Sequence, residues 1–266
     1  MFRHVHYHEL DSTQDEASRR VVAGELATAE ARPLLVTADR QTAGRGRRDR
    51  PWQSPAGGLW MSLAVPLNRP SDAYGPLPLV AGLAAATMVE RLIGVRALIK
   101  WPNDLLVGGR KLAGLLCTLE PAAPRPAAIV GIGVNANFPA ALLGDDLRLP
   151  PTGLLDLTGK WTDLSSMSHA LADAVLRAIG RYEAEGFAAD RGAIESRLAC
   201  RGEPVAVEPT SGARLEGRLV RLCPAGRLVL TTPDGERSVD IGDVTRLTPA
   251  PASADRVHAE DLEFSR

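Results

Sequence analysis

Residues 97–134 read ALIKWPNDLLVGGRKLAGLLCTLEPAAPRPAAIVGIGV, three apolar runs separated by short polar segments. The runs are rich in strand formers, and the connections between them are short enough for antiparallel pairing. This stretch therefore predicts neighbouring antiparallel strands. The strands are expected over Ala97 to Trp101, Lys111 to Leu119 and Ala127 to Val134, with a turn over Pro102 to Gly109.

The segments on either side of these strands predict further strands and helices. Ser12 or Thr13 can cap a helix, and acidic residues in the first turn that follows are favourable at the positive helix end. Strands are expected over Val5–Leu10, Leu34–Ala38 and Leu59–Val65, the capped helix to about Ala29, a buried helix over Pro76–Ile93, and a long amphipathic helix from Asp163.

The chain changes character near Arg201. Short alternating runs and turn signals between Glu203 and Leu247 are typical of a small all-β module. We therefore expect a main domain over 1–199, a small C-terminal β-barrel over 200–248, and a polar, proline-containing tail over 249–266 that is disordered.

Composition restricts the function classes. The 266 residues are 45% hydrophobic and 24% charged, which is ordinary for a globular protein, and the net charge of −1 gives no general attraction to nucleic acid. The cysteines Cys117, Cys200 and Cys223 are scattered, which argues against a zinc site or a disulfide framework. The apolar run Leu79 to Met88 is too short to span a bilayer, and no signal-peptide pattern begins the chain. We expect a soluble, cytoplasmic protein.

A glycine–arginine loop is the first candidate for chemistry. Residues 44–52 read GRGRRDRPW, with four arginines within six residues. Guanidinium groups offer paired donors to carboxylates and phosphates, and glycine lets backbone N–H groups approach an anion. For an arbitrary loop of this composition a solvated basic turn is the commoner case, and a nucleic-acid-binding loop that uses Trp52 for stacking is another alternative, so the loop alone does not decide the function.

A second candidate lies where the strand ending in Trp101 turns back. Asn103 and Asp104 follow that strand, and Lys111 begins the returning one. If the two strands pair, Lys111 lies beside Asn103 and Asp104, since hairpin neighbours are ~5 Å apart. Lysine and aspartate there could bind phosphate and Mg²⁺, or they could form a structural ion pair.

Two further patterns are less specific. Residues 131–136 read GIGVNA and formally match a dinucleotide fingerprint, but no helix follows at once, so we interpret the glycines as places of close approach. His4, His6 and His8 alternate and therefore share one face of the first strand. Three imidazoles could bind a metal, but the sequence shows no carboxylate or cysteine cluster beside them, and we interpret them as an exposed face.

Taken together, five motifs resemble the biotin–protein ligase family. They are Asp11-Ser12-Thr13-Gln14, Gly44 to Arg48 with Trp52 behind it, Lys100 to Asp104, Arg110 to Gly114, and Gly131 to Asn135. The resemblance implies a mixed α/β catalytic domain related to class II aminoacyl-tRNA synthetases, followed by a small β-barrel. It also implies ATP-dependent formation of biotinyl-5'-adenylate and transfer of biotin to a lysine of a carrier protein.

The resemblance also assigns roles to residues. It implies that Arg45, Arg47 and Lys111 are catalytic and that Asp104 binds Mg²⁺. The implied biotin-binding residues are Ser12, Thr13, Gln14, Gln41, Gly44, Arg45, Gly46, Arg47, Lys111 and Gly114, and the implied nucleotide-binding residues are Trp52, Asn103, Asp104, Lys111, Gly133 and Asn135. Two positions depart from the family pattern. Gln14 stands where asparagine is common, and Asp49 stands where the loop usually has a third glycine.

The implied ligands are ATP, Mg²⁺ and the substrate biotin, and the implied partner is the biotin carboxyl carrier protein domain of a biotin-dependent carboxylase. Only about ten residues precede Ser12, so we expect the monofunctional form without the DNA-binding domain of regulatory members, acting as a monomer or weak homodimer without DNA or membrane. A lipoate–protein ligase-like acyltransferase is one alternative function, and a nucleic-acid-binding module using the arginine loop is another.

Overall fold

The computed structural model describes residues 1–28, 31–122, 125–144, 147–209, 213–240 and 244–249. Within them, the main sheet has seven strands in the order β1-β2-β3-β7-β6-β5-β4, in which β1 and β2 are parallel and all other neighbours antiparallel. These strands are β1 (Arg3–Leu10), β2 (Leu34–Gln41), β3 (Leu59–Pro66), β4 (Leu98–Lys100), β5 (Asp104–Val107), β6 (Arg110–Glu120) and β7 (Ala127–Val134). The mixed α/β class expected from the sequence is confirmed.

Helices cover both faces of this sheet. On one face, Ala17 and Val21 of the first helix are buried with Val36 and Ile129 of the sheet, while the second and fourth helices pack together over the other face. The helices are α1 (Thr13–Val22), α2 (Leu77–Ile93), α3 (Leu154–Thr158), α4 (Leu164–Glu185) and α5 (Ala188–Ser196).

The first helix begins where the sequence predicts but ends earlier. Ser12 is its N-cap, and the Ser12 side chain accepts a hydrogen bond from the backbone N–H of Asp15. The helix ends at Val22, because Gly24 adopts a φ of +88° and the chain then turns so that Leu26 is buried. The predicted end at Ala29 is wrong, and residue 29 itself lies outside the described residues.

The turn predicted over Pro102 to Gly109 is also wrong, because it contains strand β5. Gly108 and Gly109 have φ values of +56° and +76°, which allows the chain to reverse within two residues. Leu105 and Val107 are buried on the four-residue strand that precedes them. A strand this short carries too little pattern to be recognised from sequence, and the short helices α3 and α5 were not predicted for the same reason.

Helix α2 is a core helix. By length and composition the helical segment Ser71–Ile93 could cross a membrane (23 residues, mean hydropathy 1.4). It is longer than the apolar run Leu79 to Met88, which by itself is too short to span a bilayer. In this structure, however, Leu79, Val80 and Ala86 have no exposed surface, and α2 packs between the sheet and α4. Its apolar character is explained by that burial.

The C-terminal part forms a second, antiparallel sheet in the order β11-β10-β9-β8-β12. Its strands are β8 (Pro204–Pro209), β9 (Leu215–Leu222), β10 (Leu228–Thr232), β11 (Gly235–Val239) and β12 (Val244–Pro249). The all-β module is confirmed, although the expected barrel is seen here as a sheet with β11 and β12 at its edges. The predicted boundary at 199/200 falls between α5 and β8, Pro249 ends a strand, and the predicted disordered tail from 250 onward lies outside the described residues.

The two sheets share a continuous apolar core. Val205 and Leu219 of the second sheet belong to the same buried cluster as the residues under α2 and α4. The indole N–H of Trp101 donates to the carbonyl of Gly226 across the junction, at 3.2 Å. The C-terminal module is therefore packed directly against the turn that carries Asn103 and leads into Asp104.

Candidate functional site

One cavity of about 450 Å³ gathers most of the candidate residues. It is lined by the start of α1, the end of β2, the arginine loop, and residues of β5, β6 and β7. The segments around Arg45 and Lys111, far apart in sequence, share this cavity. The sequence-predicted residues that line it are Ser12, Thr13, Gln14, Gln41, Arg45, Gly46, Arg47, Trp52, Asn103, Asp104, Lys111, Gly114, Gly133 and Asn135.

Gly44 is the exception among the predicted residues, since it does not line the cavity. It is buried at the base of the arginine loop, where its carbonyl accepts from the backbone N–H of Trp52 at 2.8 Å. A Cβ atom at this position would lie 2.4 Å from the Trp52 carbonyl oxygen and 2.6 Å from Ser54 Oγ. Gly44 therefore allows the loop to fold back on itself, and the structure gives it no direct contact with a ligand.

A hydrogen-bonded network of uncharged side chains forms one end of the cavity. Gln41 Oε1 accepts from the backbone N–H of Thr13 at 2.7 Å, and the Thr13 and Ser62 hydroxyls are 2.9 Å apart. Ser62 donates to Gln14 Oε1 at 3.2 Å, and the Gln14 amide donates to the Thr118 hydroxyl at 2.9 Å. Because the groups hold one another in place, this end is preorganised for a small, neutral polar group.

The floor of the cavity is made of glycine. Gly114 and Gly133 are cross-strand partners, and the indole of Trp52 lies on them, since Cβ atoms there would come within 3.1 Å and 2.7 Å of it. Gly131 leaves room for Gln14, whose Oε1 would be 2.4 Å from a Cβ at that position. The Nε1 of Trp52 is buried and has no hydrogen-bond partner among the described residues. Ligand atoms or water must satisfy such a donor.

The other end of the cavity is charged. Lys111 Nζ lies 2.7 Å from Asp104 Oδ1 and 4.8 Å from the centre of the Trp52 ring. The sequence placed Lys111 beside Asp104 by pairing it with the strand that ends at Trp101. In the structure, Lys111 on β6 instead contacts Asp104 on the neighbouring strand β5. A register shift between these two strands places Lys111 opposite Leu106.

Arginines complete this charged end. Burial lowers the pKa of Arg47, and the positive charge of Arg48 lowers it further, while Asp104 opposes the effect. Arginine starts from so high a pKa that it stays protonated. Burial likewise lowers the pKa of Arg50, with the charge of Arg148 as the next cause. Several cations thus lie near Asp104 in the described part of the cavity, an arrangement that suits an anionic ligand.

Arg45 has a different environment. Its guanidinium contacts Asp15 at 2.7 Å and Asp49 at 2.5 Å, and its side chain is about half exposed. These two carboxylates raise its pKa. Arg45 therefore lines the cavity while its guanidinium binds acidic side chains from α1 and from its own loop.

The two predicted asparagines are anchored to the main chain. Asn103 Nδ2 donates to the carbonyl of Leu115 at 2.7 Å, and Asn135 Nδ2 donates to the carbonyl of Thr152 at 3.0 Å. The amide orientation of Asn135 leaves its buried Oδ1 without a partner among the residues described. A ligand N–H group would satisfy this acceptor.

Several cavity residues were missed by sequence reasoning. Arg50 belongs to the arginine loop and could have been included, and Ser62 faces α1 by the alternation of β3. Arg148 sits in an irregular connection and Thr248 in β12, and nothing in the sequence ties either to the cavity. Thr248 shows that the second sheet reaches the site.

The chain has relatives of known family. Residues 10–135 match the Biotin/lipoate A/B protein ligase family. The chain is 34% identical over 238 residues to the biotin–[acetyl-CoA-carboxylase] ligase of Paracoccus denitrificans, covering 88% of this chain and 96% of that protein. It is 32% identical over 248 residues to the bifunctional ligase/repressor BirA of Bacillus subtilis, covering 92% of this chain and 74% of that protein. A solved structure of the biotin protein ligase from Aquifex aeolicus, in complex with biotin and ATP, superposes with a TM-score of 0.79 at 27% identity, covering 94% of this chain and 100% of the other.

Proposed function

The chain belongs to the biotin/lipoate A/B protein ligase family, and we propose that it is a biotin–protein ligase that forms biotinyl-5'-adenylate from biotin and ATP and then biotinylates a lysine of a carrier protein. The observation that supports this most strongly is the cavity itself. It joins a preorganised neutral network to a cluster of cations within about 450 Å³, as a substrate with a polar ring at one end and a carboxylate at the other requires.

The neutral end is the proposed site of the biotin ureido ring. That ring carries a carbonyl acceptor and two N–H donors, and the network of Thr13, Gln14, Gln41 and Ser62 offers both donors and acceptors. The apolar part of biotin would then lie along the glycine floor beside Trp52. The carboxylate would reach the charged end, where Arg47 and Lys111 line the cavity.

In the first step, a biotin carboxylate oxygen attacks the α-phosphorus of ATP. A bond forms between that oxygen and phosphorus, and the bond to the bridging oxygen breaks, so pyrophosphate leaves. Both reactants are anions, so Arg47 and Lys111 lower the cost of bringing them together and stabilise the charge that develops at phosphorus.

Mg²⁺ is part of the proposal. Among the residues that the structure describes, Asp104 is the one carboxylate that lines the charged end, next to the cations. This donor set fits Mg²⁺, which commonly takes one or two carboxylates and completes its shell with substrate phosphates and water. When bound, the ion would neutralise phosphate charge, while Asp104 would hold it and Lys111 would exchange its carboxylate partner for substrate oxygens.

In the second step, the neutral ε-amine of the acceptor lysine attacks the acyl carbon of the mixed anhydride, an amide bond forms as the bond from that carbon to the phosphate oxygen breaks, the nitrogen loses a proton, and AMP leaves. The anhydride hydrolyses in water, so the arginine loop has to cover it until the acceptor arrives. The name of the Paracoccus relative supports a biotin-carrying domain of acetyl-CoA carboxylase as the acceptor. A cytoplasmic location, where ATP and a reducing environment are available, agrees with cysteines that are all unpaired.

The test is biotin-dependent exchange of labelled pyrophosphate into ATP. We expect exchange with biotin and only background exchange with lipoate or with no acid. Exchange with lipoate at the rate seen with biotin would favour the acyltransferase alternative instead. A gel shift without biotin or ATP tests the nucleic-acid alternative, for which strong salt-dependent binding would be required.

A further inference from the structure

The edge strand β1 carries three histidines on one exposed face, and the structure places a carboxylate beside them that the sequence did not reveal. β1 runs parallel to β2, with His6 opposite Thr37. Two residues further along β2, Asp39 therefore lies next to His8. His6, His8 and Asp39 are all exposed, and none of them lines the cavity described above.

The ligand atoms of these three residues converge. His6 Nε2 lies 3.3 Å from Asp39 Oδ1, and His8 Nδ1 lies 2.9 Å from Asp39 Oδ2. All three ligand atoms are within 4.8 Å of one another. Zinc binds imidazole nitrogen and carboxylate oxygen at ~2.0–2.2 Å in tetrahedral geometry, which sets its ligands roughly 3.3–3.5 Å apart. The side chains are therefore already close to the spacing that a metal ion needs.

The ring of His6 is oriented by a neighbour. Its Nδ1 is 3.0 Å from Thr37 Oγ1, and Thr37 is buried. A metal ion on His6 Nε2 requires the ring proton to be on Nδ1, and the Thr37 hydroxyl oxygen is placed to accept a hydrogen bond from that N–H group. Metal-bound histidines are typically held in this way through their other nitrogen. The same hydroxyl is 2.8 Å from His4 Nε2, so His4 is engaged with Thr37 and is not one of the three converging ligands.

We propose that His6, His8 and Asp39 form a binding site for a divalent transition metal ion that prefers imidazole ligands, such as Zn²⁺. Two imidazoles and a carboxylate supply three protein ligands and leave the fourth position to water. Softer, thiolate-selecting metals are not favoured, because no cysteine takes part. The site joins the edge strand to its neighbour, so metal binding stabilises the folded chain without a ligand in the catalytic cavity.

The experiment is titration of the untagged protein with ZnCl₂ by isothermal titration calorimetry. We expect one equivalent to bind to the unaltered protein. Asp39→Asn and His8→Asn should each weaken binding at least about tenfold, because each removes one ligand. His169→Asn is the matched control, since His169 is a half-buried histidine on the same surface whose ring packs against that of His4 at 4.7 Å but which lies outside the trio.

The result that would overturn the proposal is equally direct. Binding to Asp39→Asn that matches the unaltered protein, no binding to the unaltered protein, or equal losses in Asp39→Asn and His169→Asn would each exclude this site. His8 and Asp39 are exposed, so their variants should fold, and circular dichroism checks the fold of all three variants. As a second readout, ZnCl₂ should raise the Tm of the unaltered protein and of His169→Asn but not that of Asp39→Asn.

Discussion

Lys111 offers the sharpest test of the proposed adenylation chemistry. Its ammonium group is mostly buried at the charged end of the cavity, 2.7 Å from Asp104 and above the ring of Trp52. Lys111→Met removes the charge but keeps an unbranched apolar stem against Trp52. A loss of activity in this variant therefore reports on the charge and not on packing.

The magnitude follows from the geometry. A unit charge about 4 Å from a substrate anion contributes about 4 kcal/mol at an effective dielectric constant of 20. Part of that is already offset by Asp104, and removal of one preorganised group at a reacting centre typically costs about 3–4 kcal/mol. The rate of adenylate formation should therefore fall roughly 10²–10³-fold.

The assay is biotin-dependent pyrophosphate exchange at saturating biotin and ATP. Lys160→Met is the matched control, because Lys160 is exposed and does not line the cavity, and it should exchange at the unaltered rate. Thermal unfolding of both variants separates a loss of chemistry from a loss of fold. Exchange by Lys111→Met within about threefold of the unaltered protein would refute the reasoning, since that is well under the loss worked out above.

Three other substitutions test separate parts of the structure. Gly131→Ala should raise the KM for biotin about tenfold while that for ATP changes little, because its Cβ would lie 2.4 Å from Gln14 Oε1; equal changes in both KM values would contradict the placement of biotin at the neutral end. Gly180 lies on the exposed side of α4, and a Cβ atom there would have no other atom within 4 Å. Urea unfolding of Gly180→Ala should therefore show stabilisation by about 0.5–1 kcal/mol, and a destabilised variant would disprove this. Asp49→Gly removes a residue at φ +54° and one of the two carboxylates that hold Arg45. Steady-state kinetics should show a KM for ATP lowered roughly threefold, and an increased KM would show that Asp49 assists binding.

Predictability from sequence depended on how much pattern each element contains. Helix α4 repeats its apolar positions over 22 residues, and its cap Asp163 accepts from the backbone N–H groups of Ser165 and Ser166, so its start could be read directly. Strand β5 has only four residues and α3 only five. Elements this short are stabilised mainly by contacts with the rest of the fold, which local sequence does not encode.

The amount of local sequence pattern also decided which residues of the site could be predicted. Motifs that are continuous in sequence, such as the arginine loop and the turn before Asp104, supplied most of the predicted residues that line the cavity. Ser62 and Arg148 reach the cavity singly, from a strand and from an irregular connection, and their placement depends on how distant segments pack. Asp39 illustrates the limit most clearly, because its contact with His8 depends on strand order and register, and neither is visible in the sequence.

The ion pairs of Arg45 bear on how the loop could hold the proposed intermediate. Arginines crowded within six residues repel one another, and Asp15 and Asp49 offset part of that repulsion. Exposed pairs of this kind contribute only about 0–1 kcal/mol each. A phosphate in a closed cavity makes stronger, paired hydrogen bonds to guanidinium. If the proposed function holds, the loop would therefore exchange its carboxylate partners for an adenylate at little cost, and we predict that Arg45 leaves Asp15 when the adenylate binds.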